Sequence, residues 1–213
     1  MKHFLLTTAL MIAPLAASAE QVIRMTAASS HPVQIPWVGL MKSEIVDKIN
    51  PRLQQAGIDL RIEWTEAYAG VLYGFDDTLE AVAEGVADIG WVGALFEPAK
   101  MPIQNTAYAV PFSTPDPTVS LEILDNLNSR DTIYRQEWID NNLMYLGTMA
   151  TDGYQIYSKT PIRTPDDLKG LKVQGSASVG AWIEGFGATF INAGIPVMYS
   201  QMVTGVADAT FLI

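Results

Sequence analysis

Two hydrophobic periods alternate along the chain after its first twenty residues. Segments in which apolar and polar residues alternate, or in which a short apolar run stands between turn residues, are typical of strands. Segments whose apolar residues recur every three or four positions are typical of helices. The predicted strands cover residues 22–26, 60–65, 89–92, 143–149, 154–157, 171–173, 189–191 and 209–213. Strands that take turns with helices along one chain predict an α/β fold.

The predicted helices lie between these strands. The first carries apolar residues at spacings of three and four, at Val38, Met41, Ile45 and Ile49. Thr114 followed by Pro115 is typical of a helix start, because threonine caps a helix and proline fits its first position. Further helical segments are predicted at residues 77–84, 115–138 with a break near 129–131, 164–169, 179–186 and 200–204.

One segment of the chain is repeated in outline. Residues 79–89 and residues 199–209 each combine a short helix, a glycine, the tripeptide Val-Ala-Asp and the start of a strand. The repetition favours two similar α/β lobes, which we place at residues 20–150 and 151–213. Two lobes imply a cleft between them, and such a cleft is a common place for a small ligand.

The first residues have the pattern of a signal peptide. Lys2 and His3 precede an apolar run at residues 4–17, and a small-x-small sequence ends at Ala19. This order predicts export to the periplasm with cleavage near Ala19. The alternative, a buried N-terminal helix, is disfavoured by Pro14 within the run. No later stretch is apolar enough to span a membrane, so we expect no direct membrane insertion.

Composition removes several classes of function. The chain has no cysteine, which excludes disulfides, thiolate metal sites and cysteine nucleophiles. Its net charge of −10 disfavours binding to nucleic acid, because phosphate backbones are bound by basic surfaces. With 49% hydrophobic residues, the chain has enough apolar material for a core that needs no covalent cross-link.

The sequence also lacks the common motifs of catalysis. One histidine, His31, remains after residue 19, so an imidazole-based metal site has a single ligand at most. No Gly-x-Ser-x-Gly elbow, phosphate-binding loop or dinucleotide fingerprint is present. A calcium site made of carboxylates alone stays open, although no EF-hand spacing occurs. We therefore predict a binding protein without a cofactor, and not an enzyme.

Ligands of open α/β sheets gather beyond the carboxyl ends of strands, and this rule selects candidate binding residues in the first lobe. The candidates that follow the first three predicted strands are Ser30, His31, Glu66, Tyr68, Trp91 and Gly93. Tyr68 offers a ring and a hydroxyl, Glu66 accepts hydrogen bonds, and Gly93 allows close approach of backbone. The plain alternatives are a hydrated loop for Ser30 and core packing for Trp91.

In the second lobe, residues 174–178 join a strand to a helix, so that free backbone N–H groups face the cleft. Gln174 and Ser176 are the candidate ligand-binding side chains of this loop, and Tyr154 and Asn192 complete the predicted set. Such a loop holds a carboxylate or a neutral polar oxygen without an arginine. The alternative is that the loop merely caps the following helix.

Several stretches carry a resemblance to one family. The clearest is residues 158–173, Ser-Lys-Thr-Pro-Ile-Arg-Thr-Pro-Asp-Asp-Leu-Lys-Gly-Leu-Lys-Val. Residues 26–32, 79–90 and 205–208 match other recurring patterns. Together they resemble the solute receptors of tripartite ATP-independent periplasmic (TRAP) transporters, the dicarboxylate-receptor-like family.

The resemblance implies a two-lobed periplasmic binding protein of the type II-like class, with strands that cross a hinge. It implies a receptor that binds a small organic solute, often an organic acid, and delivers it to the membrane permease subunits of a TRAP transporter. The sheets of the family continue beyond the position of Ile213. We therefore expect a C-terminal part of the fold to be missing.

The chain departs from the family at the residues that clamp a carboxylate. Where the resemblance implies arginines, this sequence has Gln174 and the segment 153–155. Bidentate recognition of a carboxylate by a guanidinium is therefore lost, and a neutral or weakly charged organic solute becomes an alternative to a dicarboxylate. A periplasmic module that presents a solute to a membrane receptor or kinase would have the same fold, and a hydrolase that uses Glu66 is the remaining alternative.

Overall fold

The computed structural model describes residues 20–111, 113–130 and 132–213. The predicted signal peptide at residues 1–19 lies outside this part. The strands are β1 (Gln21–Ala28), β2 (Leu60–Ala67), β3 (Ile89–Gly90), β4 (Gln155–Ser158), β5 (Lys172–Gly175), β6 (Thr189–Asn192) and β7 (Ala209–Leu212). The α-helices are α1 (Pro36–Met41), α2 (Ile49–Gln55), α3 (Thr78–Ala83), α4 (Thr106–Ala109), α5 (Pro117–Ser129), α6 (Ile133–Asp140) and α7 (Ile195–Thr204).

Shorter helical turns complete the list. A π-helical segment covers Lys42–Val46, and 3₁₀ helices cover Phe75–Asp77, Ala94–Phe96, Pro165–Leu168 and Ala177–Ile183. In the part of the chain that the structure describes, no helix combines the length and the apolar character needed to cross a bilayer.

The first sheet is parallel and has the order β2-β1-β3. The central strand β1 pairs with β2 along its whole length, from Gln21 opposite Leu60 to Ala28 opposite Ala67. The short strand β3 pairs with the last two residues of β1 on the other side. Because the strands are parallel, their carboxyl ends and the loops that follow lie at one edge of the sheet.

The helices that follow β1 bury an apolar cluster against this sheet. The buried members are Ala27, Trp37, Val38, Met41, Val46 and Ile89. Val38 is fully enclosed, and a side chain of this kind contributes about 1.5 to 3 kcal/mol of hydrophobic stabilisation. The packing fixes α1 and therefore the loop between β1 and α1, which carries candidate site residues.

The second sheet is mixed and has the order β4-β7-β5-β6. Strands β5, β6 and β7 are parallel, and β4 runs antiparallel to β7. The carboxyl ends of the parallel strands and the amino end of β4 therefore share one edge. Leu168, Val173, Ile183 and Ala209 form the buried cluster on one face of this sheet.

The repeated Gly-Val-Ala-Asp motif has the same structure in both sheets. Gly85 and Gly205 end α3 and α7 with positive φ values of 77° and 81°, a conformation that glycine adopts without steric penalty. Asp88 then exchanges two hydrogen bonds with Thr26: its N–H donates to Thr26 O at 3.0 Å and its carboxylate accepts from Thr26 N at 2.7 Å.

Asp208 makes the same pair of hydrogen bonds with Lys172. In each sheet the aspartate thus fixes the strand that follows it beside a parallel strand from earlier in the chain: β3 beside β1, and β7 beside β5. The first sheet comes from residues before 91 and the second from residues after 154. The predicted α/β fold is confirmed, while the boundary between residues 150 and 151 stays a prediction.

The predicted strand at residues 143–149 differs from the structure. Its backbone pairs with no strand among the described residues, and a strand needs such a neighbour for its N–H and C=O groups. Side chains nevertheless alternate in exposure, because Met144 and Leu146 point outward while Tyr145 is half-buried. Tyr145 donates to Asp125 on α5 at 2.7 Å, which ties the segment to the helix.

Other differences concern helices. The single helix predicted from Val38 to Ile49 is divided into α1, the π-helical segment and α2. The helix predicted at residues 200–204 begins earlier, at Ile195, because Pro196 fits the first turn of a helix. The segment expected to be α-helical after residue 179 is a 3₁₀ helix at Ala177–Ile183.

Candidate ligand-binding site

The loop-bearing edges of the two sheets meet each other. Gly194, which follows β6, lies so close to Phe75 that a Cβ built on it would be 2.7 Å from the phenyl ring. Ser178 donates to Leu95 O at 2.7 Å, and Trp182 donates to Tyr108 O at 2.7 Å. The residues that follow the strands of one sheet therefore lie near those that follow the strands of the other.

The centre of the first edge is an aromatic box around His31. The members of this box are His31, Trp37, Phe75, Trp91 and Phe96. The His31 ring meets Trp37, Phe75 and Trp91 edge to face, with ring centroids 5.8, 5.3 and 5.2 Å away. Trp37 and Trp91 stack at 5.3 Å. The box is an apolar surface of packed rings with one imidazole in it.

Backbone and side-chain contacts hold His31 in this position. Its N–H donates to Ser29 Oγ at 3.1 Å, and its carbonyl accepts from Ala69 N at 3.0 Å. Its Nδ1 lies 3.2 Å from Ser30 Oγ, whereas Nε2 is buried and has no hydrogen-bond partner in the described structure. Burial lowers the pKa of His31 below its ordinary value of 6.5, so the ring is neutral at neutral pH.

Two other candidates of the first lobe, Glu66 and Tyr68, lie near Lys42. Glu66 accepts from Lys42 Nζ at 3.0 Å, and Lys42 also pairs with Asp47 at 2.9 Å. The hydroxyl of Tyr68 is buried, and burial together with the nearby Glu66 carboxylate raises the pKa of Tyr68 to about 12. Glu66 is therefore paired with a lysine, and Tyr68 stays protonated.

Trp91 and Gly93 close the far side of the box. The Trp91 ring lies over Gly93, where a Cβ would be 2.5 Å from Trp91 Cη2. A cavity of about 10 Å³ remains between Phe75, Trp91 and Phe96. This space is room for one water molecule at most, so an organic solute enters only after the side chains or the lobes move apart.

A second aromatic cluster lies at the edge of the other sheet. Tyr108 stacks on Trp182 at 6.3 Å, and Tyr154 meets the Trp182 ring edge to face at 5.5 Å. Phe211 closes the cluster from β7, 5.6 Å from Trp182. Burial raises the pKa of both tyrosines, so they are neutral hydrogen-bonding groups.

The side chains of the remaining candidates of the second lobe point in different directions. Ser176 is buried next to this cluster, and its Oγ has no partner of good geometry in the described structure. Gln174 points away from the edge, because its amide donates to Met198 O of α7 at 2.8 Å. Asn192 is exposed at the end of β6. The structure thus brings His31, Ser176 and Tyr154 to the facing edges and places Gln174 behind them.

Six aromatic residues of the two clusters were not predicted as site residues. They are Trp37, Phe75, Phe96, Tyr108, Trp182 and Phe211. Phe75, Phe96 and Tyr108 come from connections that follow no predicted strand directly, so the strand-end rule passes over them. Trp182 lies in the helical segment predicted at residues 179–186, and its contact with Tyr108 spans a separation along the chain that local patterns do not reveal.

The candidate groups at the facing edges, His31, Tyr154 and Ser176, are uncharged, while Glu66 is paired with Lys42. Among the described residues, none of the hydrogen bonds of His31, Tyr154, Ser176 or Gln174 comes from an arginine or a lysine. No group of three or more acidic or histidine side chains is arranged to hold a metal ion in this part of the chain. The site can bind by stacking, apolar contact and neutral hydrogen bonds.

Comparison with known proteins shows to which family the chain belongs. Residues 53–212 match the bacterial extracellular solute-binding proteins, family 7 (DctP). The chain belongs to this family. The predicted resemblance is confirmed, and so is the prediction of a binding protein in place of an enzyme, since family 7 is a solute-binding family.

Solved structures of TRAP solute-binding proteins have the same fold. A TRAP solute-binding protein from a marine metagenome, in complex with 3-hydroxybenzoate, is 21% identical with a TM-score of 0.72; the match covers 90% of this chain and 58% of that one. A TRAP periplasmic protein from Bordetella bronchiseptica with bound mandelate is 20% identical, with a TM-score of 0.70 and coverage of 89% and 58%.

A TRAP periplasmic protein from Citrobacter koseri in an open structure is 25% identical, with a TM-score of 0.62 and coverage of 88% and 60%. The chain therefore spans about three fifths of the length of the family 7 structures that it matches. These likenesses confirm the predicted two-lobed periplasmic binding fold.

Proposed function

We propose that the protein is a periplasmic receptor that binds a small organic acid or a related polar organic solute and delivers it to the membrane permease subunits of a TRAP transporter. The observation that carries the proposal is the pair of facing sheet edges, each lined with aromatic rings and buried neutral hydrogen-bonding groups. Membership of family 7 supports the same function. The predicted signal peptide, with cleavage near Ala19, supports the periplasmic location.

The proposed binding residues come from both lobes. They are Ser30, His31, Glu66, Tyr68, Trp91, Gly93, Tyr154, Gln174, Ser176 and Asn192. His31 and Trp91 supply the first wall, and Tyr154 and Ser176 supply the second. Gln174 contributes by fixing the end of β5 against α7, and Glu66 and Tyr68 form the rim.

A carboxylate can be held here without an arginine. The backbone N–H groups of Ala177 and Ser178 follow β5 and donate to no acceptor in the described structure. Together with the Ser176 hydroxyl they offer neutral donors at the same edge of the sheet. The aromatic rings exclude water, and hydrogen bonds to an anion become stronger in such surroundings. The acids named for the solved structures, among them 3-hydroxybenzoate and mandelate, combine an aromatic ring with a carboxylate, which are the two kinds of group that this arrangement can bind.

The mechanism is conformational. A solute that contacts both lobes has a higher affinity for the closed arrangement than for an open one, and so shifts the population toward closure. The closed form is then the one presented to the permease. Ser178 and Trp182 already connect the two lobes through direct hydrogen bonds, so closure adds to an existing contact.

Thermal unfolding with a library of organic acids and polar solutes tests the proposal. We expect a subset of small acids to raise the melting temperature of the purified protein, and calorimetry to give a single binding site. Tyr154→Phe combined with Ser176→Ala should weaken binding about tenfold or more, since each change removes a buried hydroxyl that we propose to bond to the ligand. Tyr199→Phe is the matched control, because Tyr199 is 81% exposed on α7. A protein that binds no member of the library would overturn the proposal.

A further inference from the structure

A chain of three polar contacts runs from His31 into the protein. His31 Nδ1 lies 3.2 Å from Ser30 Oγ, and Ser30 Oγ lies 3.3 Å from Thr78 Oγ1. Thr78 Oγ1 in turn donates to Phe75 O at 3.0 Å. Each hydroxyl has one hydrogen to donate, so the directions of these hydrogen bonds depend on one another.

The hydrogens can be placed from the far end. The Phe75 carbonyl is an acceptor only, so the Thr78 hydroxyl donates to it and must accept from Ser30. The Ser30 hydroxyl has then used its hydrogen and must accept from His31 Nδ1. All three contacts are hydrogen bonds only if Nδ1 carries the proton of the neutral imidazole. The other ring nitrogen, Nε2, then has a free lone pair and is an acceptor.

We propose that His31 Nε2 accepts a hydrogen bond from a hydroxyl group of the ligand, so that the site selects hydroxylated organic acids over the same acids without the hydroxyl. This inference rests on the proposed function and names the ligand class of that site. Nε2 is buried within the aromatic box and has no partner in the described structure. Buried polar groups are generally hydrogen-bonded, so this lone pair among the rings of the box is free to accept a hydrogen bond from a ligand.

Selectivity follows from burial. A ligand that lacks the hydroxyl leaves the buried lone pair without a donor, and the unmade hydrogen bond lowers affinity. We expect a preference of about tenfold or more for the hydroxylated acid. Burial also lowers the pKa of His31, and burial is the only cause of that shift among the described groups. The neutral ring is therefore the form that meets the ligand.

The tautomer can be measured without any ligand. In uniformly ¹⁵N-labelled protein, two-bond imidazole correlations distinguish a protonated ring nitrogen from an unprotonated one. We expect protonated Nδ1 and unprotonated Nε2 for His31, with the signal assigned by its loss in His31→Asn. Ser30→Ala removes the acceptor of Nδ1 and should shift the ring toward the other tautomer. A wild-type ring protonated at Nε2 would overturn the inference, whatever the protein binds.

Paired ligands test the selectivity. Calorimetry would compare 3-hydroxybenzoate with benzoate, and mandelate with phenylacetate. We expect the hydroxylated member of at least one pair to bind about tenfold more tightly, and we expect His31→Asn to abolish the difference. His31→Gln should retain part of it, because the longer side chain brings an amide oxygen close to the position of Nε2.

The outcomes separate the two claims. If no acid of the wider library binds, the proposed function fails, and the tautomer is still decided by the ligand-free spectrum. If acids bind but both members of each pair bind equally, the proposed function stands and the role of His31 is refuted. If His31→Asn keeps the preference of the wild type, the hydroxyl is recognised elsewhere and the inference is wrong.

Discussion

At the scale of single residues, Gln174 shows how a buried amide shapes the edge of the second sheet. It is fully enclosed; its Nε2 donates to Met198 O, while its Oε1 has no partner in the described structure. The hydrogen bond contributes about 1 kcal/mol, and an unsatisfied buried acceptor costs about 1 to 3 kcal/mol. The net contribution of this amide to stability is therefore close to zero or negative.

Replacement of Gln174 tests this balance. Gln174→Met keeps the volume and removes the unpaired oxygen, so we expect the free energy of unfolding to stay within about 1 kcal/mol of the wild type or to rise. Gln174→Glu buries a carboxylate against the Met198 carbonyl and should lose about 3 kcal/mol at neutral pH. Urea unfolding measures both. A large loss with methionine would show that Oε1 has a partner that the structure does not reveal.

His31 gives the stability of the protein a pH dependence. Burial lowers the pKa of the folded residue below its ordinary value of 6.5, so between these two values the unfolded chain binds more protons than the folded one. The free energy of unfolding then falls as the pH drops below about 6.5. We expect melting temperatures measured between about pH 5 and pH 8 to show this loss in the wild type.

His31→Asn is the variant that isolates the effect of His31. Glu97, whose pKa is raised by burial and then by Asp76, contributes with the opposite sign in both proteins, so the difference between the two pH profiles belongs to His31. Parallel profiles for wild type and variant across the acid range would contradict the expectation.

Some residues of the site could be predicted from the sequence and others could not. The rule that ligands gather at the carboxyl ends of strands led to His31, Trp91 and Ser176, and the structure places all three at the facing edges. The rule could not show that Gln174 turns toward α7, because neighbouring side chains of a strand point to opposite faces and the register of the core decides which. Aromatic residues supplied by short helical turns, such as Phe75 and Tyr108, follow no local period.

At the scale of elements, the connection between the lobes depends on the 3₁₀ helix Ala177–Ile183. Ser178 Oγ lies 2.7 Å from Leu95 O and also contacts Asn105 Oδ1, although its hydroxyl has one hydrogen to donate. Asn105 is itself fixed by hydrogen bonds to Ala94 O and Met101 O. The helix is thereby anchored to a preorganised loop of the first lobe.

Loss of the Ser178 hydroxyl should loosen this connection. Ser178→Ala removes about 1 kcal/mol of contact between the lobes, so we expect faster amide exchange at residues 94–105 and a larger radius of gyration by small-angle scattering. Ser200→Ala is the matched control, because the exposed Ser200 hydroxyl donates to Val197 O of its own helix. Identical scattering and exchange in both variants would show that the Ser178 contact has no role in holding the lobes.

Local chemical signals predicted some elements well and misplaced another, since α5, expected to start at Thr114, is capped by Asp116. The start at Thr164 is a capping box in which Asp167 accepts from Thr164 N at 2.8 Å, and the repeated Gly-Val-Ala-Asp motif gives matched hydrogen bonds in both sheets. The π-helical segment Lys42–Val46 has no comparable sequence signal. Whether residues 143–149 form a strand depends on a neighbour, which no pattern within the segment specifies.

At the scale of the whole molecule, residues 143–149 are an extended segment on the surface. Met144 is 81% exposed and Leu146 is 63% exposed. None of the backbone N–H groups from residue 144 to residue 149 donates to another group in the described structure. An exposed apolar segment with free backbone groups promotes pairing between chains. The net charge of −10 opposes this association at low salt, because it makes molecules repel one another.

Self-association that increases with both concentration and salt is therefore expected in analytical ultracentrifugation. Met144→Lys with Leu146→Lys should reduce it, since lysine at an open edge blocks strand pairing. Tyr199→Lys with Val203→Lys is the matched control, because these side chains are 81% and 66% exposed on α7 and the change in charge is the same. If both double variants reduce association equally, general charge repulsion explains it; only a specific effect of the first pair shows that the unpaired segment brings the molecules together.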